Sequence, residues 1–175
     1  MAKHEAIVAF AVVVLASTLH ATEFDAFDRR AQVRGSDVIV TGRVVSVSSD
    51  WNPNHSAIVS AADIAVDEAW KGTCPDRITV RTFGGRVGNV ALEVEGAARF
   101  DVGEHVVLFL RRFDGAYTPY GMRFGKYDIV GSGPAALVVG GSPPTRRGEG
   151  NVAIVSAPLA GLRAEVSGLV MEEKR

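Results

Sequence analysis

Cysteine is nearly missing from this sequence. Cys74 is the 1 cysteine among 175 residues, so no disulfide can form within the chain and stability has to come from packing. It lies in the turn-like stretch Trp-Lys-Gly-Thr-Cys-Pro, either as an incidental loop thiol or as a reactive or chain-bridging one. Histidine is scarce as well: there are 4, and past the first 21 residues only His55 and His105 remain. With no HExxH, no CxxC and no paired histidines, the ligand spacings of a zinc site are lacking. No G-x-S-x-G elbow surrounds a serine. Neither sign of charge prevails: the net charge is −1, with acids and bases interspersed, so no whole-molecule field draws the chain to nucleic acid or anionic lipid. A repeat of solenoid length is also missing.

What is present begins with MAKHEAIVAFAVVVLASTLHA, in which Lys3 precedes an apolar run from Ala6 to Ala16. That run has the length of a signal-peptide core and falls short of the roughly 20 residues a membrane-spanning helix needs. The expectation is a signal peptide over 1–21, cut after Ala21, and export to the periplasm or beyond, with no stable membrane insertion afterwards. The length then suits a single domain, 22–175, with a core of its own.

The strongest pattern in that domain is Ser36 to Val47, SDVIVTGRVVSV. It is rich in β-branched residues, neither alternate set is purely polar, and Gly42 stands in its middle. A strand that meets apolar neighbours on both faces along its length has to bend, and a glycine bends most cheaply. It reads as the long first strand of a small closed barrel. Before it, Phe24, Phe27, Ala31 and Val33 suit a short amphipathic helix with a left-handed cap at Gly35.

After it, SSDWNPNHS is a turn carrying Trp51 and His55. Residues 58–70 alternate with period two, the set from Ile58 to Trp70 facing inward, and RITVRTF makes a third strand ending at Gly84-Gly85. Val90, Leu92 and Val94 suggest a short fourth strand. HVVLFLRR, from His105 to Arg112, is apolar on both faces, as in a central strand. Tyr117 to Met122 and Lys126 to Val130 are expected to close the barrel as a hairpin, with a further short strand at Ala135 to Val139. GGSPPTRRGEGN, 140–151, has the composition of a mobile loop. Residues 151–155 are either a return strand or a linker. Ser156 and Pro158 then suit the start of a helix over 157–170, docked by Leu159, Leu162, Val166, Leu169 and Val170, with a frayed charged end from Glu172.

The order of a short helix, SDVIVTGRVVSV, a long strand ending in AWKG, a GG turn, FDVGEHVVLFL and GKYDI resembles exported bacterial proteins of unassigned activity. Over Gln32 to Leu110 it also resembles the netrin-like, OB-type barrel of the tissue inhibitors of metalloproteinases. That resemblance implies an OB-like barrel and, as partner, a secreted protease. The animal inhibitors present a disulfide-tethered N-terminal cysteine to the protease zinc. This chain, expected to start at Thr22-Glu23, has no such cysteine.

Other sites compete. His105, beside Glu104 at a strand start, is the one candidate base for a small hydrolase, alone or with Cys74 as nucleophile. Asp63, Asp67 and Glu68 offer carboxylates for calcium but lack the looping glycine of such sites. Gly84 to Gly88 looks like a phosphate cradle, yet no helix follows it. Phe113, Tyr117, Tyr120, Phe124 and Tyr127 with Arg111, Arg112, Arg123 and Lys126 have the ingredients of a nucleic-acid groove, which export and the balanced charge argue against. The same residues suit a protein-binding face. The expectation is therefore a non-enzymatic module without cofactor or metal, binding a protein or envelope partner and no nucleic acid, through Trp51, Arg111, Arg112, Phe113, Tyr117, Tyr120, Arg123 and Tyr127. The alternatives are a small hydrolase using His105 and Glu104, or a passive envelope component.

Overall fold

In the computed structural model, which describes residues 29–140 and 156–175, the long first strand runs as β1, Val38–Trp51. One edge of β1 pairs antiparallel with β2 (Ile58–Lys71) and the other with β6 (His105–Phe113). β2 pairs with β3 (Arg77–Phe83). β3 meets β7 (Ala116–Pro119) in parallel at Val80 opposite Tyr117, and β7 returns to β6. The ring of 5 strands is thereby closed, an OB-like barrel. The chain is mainly β, with a short helix α1 (Arg29–Gly35) before the barrel and α2 (Leu159–Glu173) at its end.

Both faces are buried over Val38 to Gly42 of β1 and Val106 to Leu110 of β6, which is why those stretches carry apolar residues on both. Val38, Val40, Val44, Val106, Leu108 and Leu110 point into the barrel with Ile64, Ile78 and Val80. The alternate residues Ile39, Val107 and Phe109 point outward, beneath Val33 of α1 and Leu162 and Val166 of α2. Burying each such side chain contributes about 1.5–3 kcal/mol over leaving it exposed. The outer layer is completed by β8 (Lys126–Val130), β9 (Leu137–Gly140) and β10 (Ser156–Pro158), which extend the sheet from β6.

The bend expected in β1 is spread over three irregularities in its pairing with β2. Val45 has no residue opposite it, and beyond it the inward set changes: Val47 and Ser49 line one end of the barrel with Ala62, Ala98 and Phe100. Gly42 sits at another shift for a different reason. A Cβ there would lie 2.5 Å from the Ala65 carbonyl oxygen, so the glycine permits close approach of β1 and β2. Shifts on the β2 side leave Asp67 and Trp70 without opposite residues, which turns Trp70 to the outer layer rather than inward.

Several expectations are corrected. β7 and β8 do not pair with each other. Both lie along the same edge of β6, β7 against Leu110 to Phe113 and β8 against Val106 to Leu108. The strand at Val90 belongs to a separate two-stranded ribbon, β4 (Gly85–Val87) with β5 (Val90–Leu92), outside the ring. Gly35 ends α1 outside the left-handed region; the Tyr120 ring occupies the space of a Cβ, 2.3 Å from its ideal position. Ser156 is a residue of β10 and does not cap α2, which Pro158 precedes.

The charged end of α2 is tied down: Glu172 accepts from Arg30 at 2.5 Å and Glu173 from Lys71 at 2.7 Å. The expected signal segment 1–21, the part of the expected first helix over 22–28, and residues 141–155 lie outside the described residues. Among the described residues no helix is long and apolar enough to cross a membrane.

Candidate binding groove on the barrel wall

α2 lies against the Glu68–Lys71 end of β2, but among the described residues no helix covers the outward face at Val59 and Ala61 or the neighbouring face of β3. Val59 opposes Phe83 and Ala61 opposes Arg81 in the β2–β3 ladder, and these side chains leave the barrel on the side away from Ala62 and Val80. They form the floor and one end of a groove of about 640 Å³. Trp51, Asn52 and Pro53 wall it from the β1–β2 loop, and Phe113, Asp114 and Tyr117 from the β6–β7 turn. Phe83 is 63% and Phe113 70% exposed. Single exposed hydrophobics are ordinary, but rings gathered across one concavity form the kind of patch that marks a binding surface.

Both walls are braced. The Asn52 side-chain oxygen accepts from the backbone N–H of Ser56 at 2.8 Å and of Ala57 at 3.0 Å. His55, in the left-handed region at φ 55°, stacks on Trp51 with ring centroids 6.3 Å apart. On the other wall Asp114 and Gly115 take φ 47° and 70° between the paired Phe113 and Ala116, a primed two-residue hairpin turn. Arg81 lies 3.7 Å from Asp114 across the groove's edge, an exposed pair of small energetic weight.

Of the residues expected at a contact face, the groove thus gathers Trp51 and Phe113, with Tyr117 on its lining but half-buried against the barrel interior. The others disperse: Arg112 points to the side of β6 opposite Phe113, and Tyr120, Arg123 and Tyr127 lie beyond β7. Arg111 donates from Nε to the Gly35 carbonyl at 2.8 Å and lies 4.7 Å over the half-buried Tyr120 ring. Arg112 reaches the Thr73 carbonyl at 2.6 Å, and its backbone N–H donates to Asp37 at 2.8 Å. Arg123 is exposed, its guanidinium 5.4 Å from the Phe124 ring. Tyr127 is a correction: only 4% exposed, it packs on Phe109 in the outer layer and donates to Gln32 Oε1 at 3.1 Å. No partner reaches it from outside. Phe83, Arg81, Val59 and Asp114 were not among the expected site residues. The alternation in RITVRTF and the Asp-Gly dipeptide are the signals that point to them.

His105 lies in a second, wider cleft between the barrel and α2, with Thr41, Trp70 and Ser167 also on its lining. Its Nε2 is 2.9 Å from Asp67 Oδ2. The pairing with Glu104 does not form: Glu104 binds Lys126 at 2.9 Å, and Lys126 also holds Asp128 at 2.7 Å. The three acids considered for calcium each have separate partners. Asp63 accepts from Thr79 at 2.7 Å and Ser46 at 2.9 Å, which holds its carboxyl below the usual range. Asp67 has His105, and Glu68 takes Arg163 and the Trp70 indole N–H. Among the described residues no group of three or more His, Cys, Asp or Glu side chains could hold a metal ion.

Cys74 is half-buried against the barrel interior, and burial pushes its thiol up while Arg112 opposes the shift and Asp76 adds to it. A thiol so shifted is mostly protonated at neutral pH and a weak nucleophile. Compared with known proteins, the chain matches no family model and no curated protein.

Proposed function

We propose that this is an exported, non-enzymatic binding module that holds a partner protein in the groove between Trp51 and Phe113. The observation that carries the reading is the pair of rigid loops holding exposed aromatic rings over an aliphatic floor, with polar groups kept to the edge. Aromatic side chains presented at fixed geometry lose little entropy on binding and dominate interface energetics. A secreted protease is the partner class that the resemblance to metalloproteinase inhibitors suggests, by a route other than an N-terminal cysteine.

The test is saturable, identified capture from the exported fraction by the full chain, repeated with Phe113→Ala and Arg123→Ala. The reading expects the first variant to lose the partner and the second to keep it. Equal capture by both overturns it, and no saturable partner at all favours a passive envelope component. Export is checked by N-terminal sequencing of the protein from that fraction, which is expected to begin at Thr22.

A second reading rests on the His105–Asp67 pair in the wider cleft, where a carboxylate 2.9 Å from an imidazole is the orienting half of a hydrolytic relay. Turnover on a panel of ester, amide and glycoside substrates, abolished by His105→Ala and Asp67→Asn, would establish that reading.

A further inference from the structure

The groove sorts its chemistry by depth. Its floor is aliphatic, Val59 and Ala61, and its rim is ionic. The rim carries Asp50, Asp114 and one cation, Arg81, which lies 3.7 Å from Asp114. Two carboxylates against one guanidinium leave a local charge of −1 among the described residues lining it. Asp50 enters no ion pair among them; its Oδ1 accepts the Trp51 backbone N–H at 2.7 Å. The rings of Trp51, Phe83 and Phe113 line the same groove, and an aromatic face attracts a cation.

Such a surface selects by charge and by shape. A phosphate-bearing strand meets net repulsion at the rim. A neutral sugar meets hydroxyls at Thr82 and Thr118 but brings no counter-charge to the two carboxylates. A side chain with an apolar stem and a cationic tip matches each layer in turn, its methylenes on the floor and its charge among carboxylates and ring faces. Resting on the reading of this groove as the binding face, we propose that it takes a segment of partner polypeptide that inserts a lysine or arginine between Asp50 and Asp114.

The experiment uses the full chain carrying Trp70→Phe, which leaves Trp51 as the reporter among the 2 tryptophans of the sequence. Four synthetic peptides, apolar except for a central lysine, arginine, glutamate or norleucine, are titrated against its fluorescence, with a neutral β-linked glucose hexamer alongside. The lysine and arginine peptides are expected to bind about tenfold tighter than the norleucine peptide and tighter still than the glutamate one. Asp50→Asn with Asp114→Asn should erase most of that preference without unfolding the turn, since asparagine accepts a left-handed backbone. Phe113→Ala should abolish binding of every peptide.

Equal affinity for all four peptides, or a preference untouched by the two asparagines, overturns the proposal. Response to the hexamer alone overturns it too while leaving the groove as a binding face. Silence of every probe, with partner capture indifferent to Phe113→Ala, overturns the groove itself.

Discussion

Phe109 and Phe113 lie on the same strand and the same outward face, four residues apart, and meet opposite fates. Phe109 is fully buried under the helical layer, with the Tyr127 ring 5.7 Å away and the Arg29 guanidinium 5.5 Å above it. Phe113 stands in solvent, 70% exposed, past the point where β8 stops and β7 takes over the edge of β6. The barrel wall is therefore divided by what covers it among the described residues: helices over one half of β6, none over the other. A phenylalanine contributes to folding on the first half. On the second it is free to meet another molecule.

The sharpest way to break this comparison is to truncate both rings. Phe109→Ala is expected to cost about 3–5 kcal/mol in urea unfolding. Phe113→Ala is expected to stay within about 0.5 kcal/mol of the native chain while losing the partner. Similar costs at the two sites would contradict the division. Next in size is Gly42→Ala, which drives a methyl into the Ala65 carbonyl and should cost about 1–3 kcal/mol by the same measurement.

A smaller effect is read through pH. The hydroxyls of Thr79 and Ser46 lower the Asp63 carboxyl in the folded chain, so between its folded and unfolded values the unfolded chain binds more protons. The stability from Asp63 is complete above the unfolded value, about pH 4, and is lost as pH falls through the folded one. The difference in urea midpoint between the native chain and Asp63→Asn should thus be present at neutral pH and close in acid. Smallest is Glu173→Gln, which removes the carboxylate paired with Lys71 at the end of α2. A loss of about 1 kcal/mol or less, shrinking with added salt, is expected.

The barrel strands were legible because their patterns are local. HVVLFL is apolar on both faces because both faces are covered, and the opening SDVIVT of the first strand shows the same double demand. A closed barrel was legible, but not the pairing that closes it: that is one parallel meeting, Val80 with Tyr117, between segments far apart in sequence. The run from Phe113 to Tyr127 misled for a related reason. Aromatic residues look alike in sequence whether they face solvent, as Phe113 does, or a packed layer, as Tyr127 does; only the strand each pairs with decides. The groove draws on the β1–β2 loop, β2, β3 and the β6–β7 turn, so no stretch of sequence contains it. Its best local clue was Asp114-Gly115, whose turn sets Phe113 at the rim.

Strand β6 gives one edge to β1 and splits the other between β7 and β8, so the closed ring and the helix-bearing extension share a single wall. Neither can peel away while that wall stands, and neither survives its loss. Amide protons of Val107 and Leu110, whose neighbours belong to different halves, should accordingly exchange with deuterium at one common slow rate, set by opening of the whole molecule.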